Sequence, residues 1–432
     1  MKREEHQLTT LSNGLRIASL PLKWARGAVV GTWIATGTRY ENALNNGINH
    51  FTGNMFFHGT ERRKDHHAIG CEIDSLGGNI HASAGYENTA IFIKVSGGNV
   101  DRGFDIQADI IRNATFLESK IHSEKGPLIQ RIKNRRNDPA GCLAINFAER
   151  SFHGYSMGLP VVGTPESISS LRREDIIARW ATHYTPANMV VTGVGAVEPQ
   201  QLVDLAGRAY GDMPRLPRVE KPPAYYTGGD VRIDRDLQQV HACVGFQGVG
   251  ELHPDAPAYT LWSQMLGGSM SAPLFQIIRN QSGLVYSISA TNEHFTDAGV
   301  IKIEASFSSI NAPKYFDALA EILSTFASRL TEEQLQQAKA NVRTANIFVD
   351  ENPTALAERV ASSLLHWEKI PDGNERIARI DAVSLNDIRR VNVQILGSVP
   401  TRVIVGPRGA ETYEKFADRF QSFQLERNCP AA

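Results

Sequence analysis

The chain has 432 residues, 42% hydrophobic and 21% charged, with a formal net charge of −1. That length exceeds one ordinary hydrophobic core and predicts two or three domains. The balanced charge excludes nucleic acid as the principal partner, and no run of about 18 uninterrupted apolar residues is present to span a membrane.

The N-terminus, Met1-Lys2-Arg3-Glu4-Glu5-His6, is highly charged and shows neither an apolar signal core nor an arginine-rich, acid-poor presequence, so the expected location is cytoplasmic. Arg16 to Leu20 alternate as a half-buried strand does. The segment Gly47 to Thr60 reads as a helix. Gly77-Gly78 then leads into Asn79-Ile80-His81-Ala82-Ser83-Ala84, either a plain turn before a strand or the start of a sheet edge open to a peptide. Ala90 to Val95 form a strand followed by an amphipathic helix through Phe104, and Ser123 to Lys133 run towards the Asp138-Pro139 pair. Val190 to Gly195 lead as a strand into Leu202 to Ala206.

Proline and glycine gather between Met213 and Gly229, a composition suited to a linker. Beyond it, His241 to Phe246 alternate like another half-buried strand. Val300 to Ala305 lead into a helix with Phe316, Leu319, Ala320, Leu323 and Phe326 on one face, and Val403 to Gly406 lead to Tyr413 to Ala417. These last two segments repeat the strand-to-helix patterns at Ala90 and Val190, so the chain reads as an internal duplication. The expected fold is α+β: a lobe over residues 1–212, a linker over 213–229 and a second lobe over 230–432, each a mostly antiparallel sheet covered by helices.

Gly47 to Thr60 carries the most telling departure from a known chemistry. A zinc helix of the H-x-x-E-H type places two histidines at i and i+4 on one face and a water-activating glutamate at i+3. Here those positions hold His50, Gly53 and Asn54. His58 cannot replace the second histidine, because eight residues at about 1.5 Å each separate it from His50 by roughly 12 Å along a helix. His66 and His67 are adjacent and point in different directions on a helix, and a lone histidine such as His81 is more often a hydrogen-bonded structural residue.

Around this loss the segment resembles the insulinase/pitrilysin family, whose members typically read G-x-A-H-F-L-E-H-M-x-F-K-G-T. Gly47, His50, Phe51, Met55, Phe57, Gly59 and Thr60 stand in register. In the family a third ligand, a glutamate on a later helix, follows a helper glutamate by two helical turns; by that resemblance the helper position holds Glu124 and the ligand position Arg131. Asparagine is a poor zinc ligand and a guanidinium has no lone pair to offer. A fixed positive charge also repels a dication a few ångströms away by roughly several kcal/mol at an effective dielectric of about 20. The site is expected to hold no metal and the chain no cofactor.

Leu274-Phe275-Gln276-Ile277-Ile278-Arg279-Asn280-Gln281-Ser282-Gly283-Leu284-Val285-Tyr286 resembles the family's second signature, in which an arginine and a tyrosine contact substrate near the scissile bond. Arg279 and Tyr286 occupy those places. Both can donate hydrogen bonds to a carbonyl oxygen as it gains charge. Leu76 to Ala84 resembles the strand whose edge pairs with substrate, which adds His81 and Ala82 as peptide contacts, although the family usually has asparagine where His81 stands.

Other signals carry no chemistry. Gly193-Val194-Gly195 lacks the third glycine of a dinucleotide loop, and Gly268-Ser269-Met270-Ser271-Ala272 is no nucleophile elbow. Lys133, Arg135 and Arg136 read as a solvated helix face. Cys71, Cys142, Cys243 and Cys429 are widely spaced, without a paired-cysteine motif, and read as reduced thiols or small core residues.

The resemblance covers essentially the whole chain. It implies a two-lobed clamshell and a catalytically silent, substrate-binding subunit of a heteromeric zinc endopeptidase. The zinc would belong to a homologous partner in a heterodimer or larger assembly, with a peptide as substrate. The alternative it leaves open is a non-enzymatic structural subunit, similar to the core proteins of the respiratory cytochrome complex.

Overall fold

A computed structural model describes residues 6–370 and 372–407. The extreme N-terminus, Cys429 and the expected helix at Tyr413 to Ala417 lie outside the described residues.

The chain divides into two compact units. One comprises Met1–Asn134, Leu159–Pro223 and Asn346–Pro371, the other Arg135–Gly158, Ala224–Ala345 and Asp372–Ala432. Two segments thus cross the midpoint of the sequence: residues 135–158 belong with the second unit and 346–371 with the first.

The first unit holds a six-stranded sheet in the order β1-β2-β6-β3-β5-β4. Its strands are β1 (Gln7–Thr10), β2 (Arg16–Pro21), β3 (Gly27–Ile34), β4 (Asn79–Ala84), β5 (Thr89–Ser96) and β6 (Met189–Gly195). All neighbours are antiparallel except β2 and β6. The helices of the N-terminal half are α1 (Ile48–Met55), α2 (His66–Ser75), α3 (Val100–Arg112), α4 (Glu118–Asn137), α5 (Pro139–Ser151), α6 (Pro165–Ser170), α7 (Arg173–His183) and α8 (Pro199–Tyr210).

The second unit repeats this topology. Its strands are β7 (Gly229–Asp234), β8 (Gln239–Gly248), β9 (Ser287–His294), β10 (Gly299–Ser308) and β11 (Thr401–Gly406), ordered β7-β11-β8-β10-β9, with only β7 and β11 parallel. Strand for strand, β2-β6-β3-β5-β4 corresponds to β7-β11-β8-β10-β9. The duplication is therefore visible in the hydrogen-bond ladders as well as in the sequence. The helices of the C-terminal half are α9 (Ala256–Gly267), α10 (Ala312–Arg329), α11 (Glu332–Glu351), α12 (Pro353–Trp367), α13 (Gly373–Asp381) and α14 (Leu385–Gly397).

Alternation along each strand sends side chains to two faces, and both faces find helices. In β3, Ala28, Val30 and Ile34 join a core with Ile91 and Ile93 of β5, Phe104 of α3 and Leu202 of α8. Val29 and Trp33 point the other way, into a second core with Val190, Val194 and the α12 residues Ala357, Val360 and Leu364. In the second unit Val244, Ile301 and Ile303 pack with Trp262 of α9, Leu319 of α10 and Val391 of α14. There α5 packs on β11, β8 and β7, so closely that a Cβ on Gly245 would sit 2.3 Å from Phe147.

This double cover corrects the expectation of half-buried strands at Arg16 to Leu20 and His241 to Phe246, where Ile17 to Ser19 and Ala242 to Phe246 are buried without alternation. β6 and β11 are buried along their whole length, because each unit's second face is closed by a helix from the opposite half of the sequence. Residues 214–228 form neither helix nor strand, but Arg39 donates to the Pro222 carbonyl at 2.7 Å and the Val219 amide to Asn188 at 3.1 Å. Further on, the Thr227 amide donates to the Ser151 carbonyl at 2.8 Å.

Leu364 is fully buried in the α12 core, whereas Val393 of α14 is exposed. Leu364→Ala is expected to lower stability in urea titrations by about 2–5 kcal/mol, and Val393→Ala by less than about 0.5 kcal/mol. Equal effects would mean that α12 closes no core.

Candidate functional site

The helix that carries His50 is fixed at its N-terminus by a residue six positions upstream of its cap. Gly47 caps α1 in the left-handed region at φ 87°, and no side chain of the cap itself satisfies the first amides. A Cβ there would also meet the Gly163 Cα at 2.6 Å, so only glycine fits. Glu41 supplies the missing acceptor. One carboxylate oxygen accepts from the Gly47 amide and the Asn46 side chain at 2.8 and 2.9 Å, and the other from the Asn49 amide and side chain at 2.9 and 2.7 Å. A carboxylate at a helix N-terminus is also favoured by the helix dipole. Burial pushes the Glu41 pKa up, against the lowering effect of these donors and of Arg179.

On α1, His50 is partly buried, and burial together with the positive charge of Arg131 pushes its pKa down to about 4. The ring is therefore neutral near pH 7. A Cβ on Gly53 would meet nothing within 4 Å, so the place of a water-activating carboxylate is open space. The Asn54 side-chain nitrogen is buried without a hydrogen-bond partner among the described residues.

Opposite α1, on α4, the Arg131 guanidinium donates to Glu124 at 3.1 Å. The seven-residue spacing stacks the two side chains over two helical turns. Glu124 also receives His58 Nε2 at 3.5 Å. Burial, the largest effect on His58, holds its pKa below the usual value even though Glu124 acts to raise it. The helper carboxylate thus serves two cationic or potentially cationic neighbours of its own chain.

These residues do not fit a zinc ion. Of the three ligand positions one offers a lone pair from an imidazole, one a carboxamide and one a guanidinium already bonded to Glu124. Among the described residues no group of three or more histidine, cysteine, aspartate and glutamate side chains could hold a metal. With glycine at position 53, the glutamate that activates water in the H-x-x-E-H arrangement has no counterpart on α1.

Beside α1 in the same unit runs β4, which packs against it and forms the edge of the sheet, paired among the described residues only with β5. His81 and Ala82 lie on this edge, both exposed. His81 stacks on Phe92 of β5, with ring centroids 5.2 Å apart and planes 24° from parallel.

In the second unit Arg279 lies in the last turn of an eight-residue π-helix, Leu274–Gln281. The wide turn shows in the Ser282 amide bonding the Ile277 carbonyl at 3.0 Å, and Gly283 closes it at φ 60°. Such turns are rare and cluster at functional sites. Arg279 is exposed and sits over Phe275, 4.7 Å from the ring centroid. Tyr286 leads into β9; its amide donates to the Ser306 carbonyl at 2.8 Å while its side chain is 58% exposed. Both donors are presented to solvent from anchored backbone, which is the state of a group able to meet a carbonyl oxygen.

Two participants escape a reading of the sequence. Glu41 has no motif around it, and only the neighbouring Asn46-Gly47 pair marks a helix start. His58 is legible as a histidine near the motif, but its partner Glu124 lies in a distant segment and is set by the packing of α4.

Because His50 is held neutral, native stability is present at neutral pH and erodes as pH falls from 6.5 towards 4, where the unfolded chain takes up the proton first. Following the His50 ring by NMR is expected to give a midpoint near 4, moving upward in Arg131→Gln as the neighbouring charge is removed. A midpoint at or above 6.5 would contradict the burial and charge described here.

Residues 16–164 match the family described as Insulinase (Peptidase family M16), and residues 170–342 the Peptidase M16 inactive domain. A zinc protease of Rickettsia felis, described as uncharacterized, is 27% identical over 94% of this chain and 98% of its own length. The probable mitochondrial-processing peptidase subunit beta of Arabidopsis thaliana is 28% identical over 96% of this chain and 81% of its own. A chain of complex III2 from Candida albicans, solved with Inz-5 bound, shares the fold at a TM-score of 0.85 and 21% identity, covering 96% of this chain and 99% of that one. The chain belongs to the insulinase/pitrilysin family, peptidase family M16.

Proposed function

We propose that this chain is the catalytically silent, substrate-binding subunit of a heteromeric zinc endopeptidase. The observation that carries the reading is an asymmetry: the zinc helix keeps His50 but has Gly53, Asn54 and Arg131 at its other working positions, while Arg279 and Tyr286 stand exposed on anchored backbone. Random decay would not be expected to spare the second pair. The Arabidopsis relative is by name one subunit of a processing peptidase, which supports a division of labour between homologous chains.

In this reading Arg279 and Tyr286 face the scissile carbonyl of a peptide held at the zinc site of a homologous partner. Each donates a hydrogen bond that strengthens as negative charge develops on the oxygen. Their contribution lies in the transition state, so it appears in kcat more than in KM.

A second reading, a structural subunit without peptidase work, draws support from the shared fold with a chain of complex III2. The two readings separate on one mixture. The chain combined with a zinc-bearing homologue is expected to cleave peptides that neither chain cleaves alone. Arg279→Ala or Tyr286→Phe is then expected to lower kcat by about tenfold or more. Unchanged turnover in both variants would make the pair structural, and a complex without peptidase activity would favour the second reading.

A further inference from the structure

The face of the first sheet that carries Trp33 holds a row of stacked rings running outward to the edge strand. Trp33 of β3 is fully buried and lies parallel to Phe92 of β5, with centroids 5.9 Å apart and planes 3° from parallel. Phe92, partly buried against the α12 core, stacks in turn on His81 at 5.2 Å. His81 and Phe92 are directly opposite in the β4–β5 register, and Lys94 sits 5.9 Å from the Phe92 centroid.

The row ends at an open position. His81 is exposed, and among the described residues β4 has a partner strand on one side only, so its outer amides and carbonyls offer a template for an extended chain. In an added strand the Cβ atom directly opposite His81 falls about 4.5–5.5 Å away, the same cross-strand relation by which His81 and Phe92 bring their rings to 5.2 Å. Backbone pairing alone accepts many sequences; a planar ring at the end of a stack does not.

We propose that His81 is a specificity-determining residue: a peptide joining the edge of β4 is selected for an aromatic side chain beside His81, where it extends the Trp33–Phe92–His81 stack by a fourth ring. The substrate class is thus an extended segment bearing phenylalanine, tyrosine or tryptophan at that position. This inference rests on the reading that the chain binds peptide.

The test uses the full chain and a fluorescein-labelled peptide of about ten residues, rich in serine and threonine, with phenylalanine, leucine or alanine at its centre. Binding is read by anisotropy. Phenylalanine is expected to bind about three- to tenfold more tightly than leucine. His81→Ala is expected to abolish that preference and His81→Phe to restore it, with far-UV circular dichroism unchanged in both. Equal affinity for phenylalanine and leucine, or a preference that survives in His81→Ala, would overturn the stacking role while leaving peptide binding intact. Failure of every peptide to bind, with the chain alone and mixed with a zinc-bearing homologue, would overturn the reading beneath it as well.

Discussion

The pairing of Arg131 with Glu124 at 3.1 Å decides the chemistry of the first unit. A guanidinium stays protonated at any working pH, and here it places a permanent positive charge beside His50, whose pKa falls to about 4 under burial and that charge. A dication brought to the same place would meet repulsion, one neutral imidazole and a carboxylate already engaged by Arg131 and His58. The change at residue 131 is therefore more than the absence of a ligand. It supplies an internal cation at the position where the zinc motif calls for a ligand.

The scaffold around this site is independent of the metal. Glu41 and Gly47 hold the start of α1 through four hydrogen bonds and a left-handed turn, and none of these groups is a ligand position. Both sheets are closed on their second face, by α12 in one unit and by α5 in the other. None of the cores includes His50, Asn54 or Arg131, so the packing of each unit is built from apolar contacts apart from the ligand positions.

Much of this was open to a reading of the residues. The helix of His50 is legible because spacings of three and four residues fix which side chains share a face, and the Glu124–Arg131 pair because seven residues make two turns. The duplication is legible in the recurring strand-to-helix patterns at Ala90 and Val300. What the sequence conceals depends on tertiary placement. Amphipathicity says that α5 and α12 each bury a face but not against which sheet, so the double cover of β6 and β11 stays hidden. Glu41 acts from a loop without periodicity. The π-helix before Gly283 carries residues that would suit an α-helix equally well, and its wide turns follow from where its ends are tied.

The account turns on where the metal sits. Elemental analysis of the isolated chain, and of the same chain purified in complex with a zinc-bearing homologue, tests this directly. The account predicts no stoichiometric zinc in the isolated chain and one zinc per pair of chains in the complex. One zinc per isolated chain would contradict it.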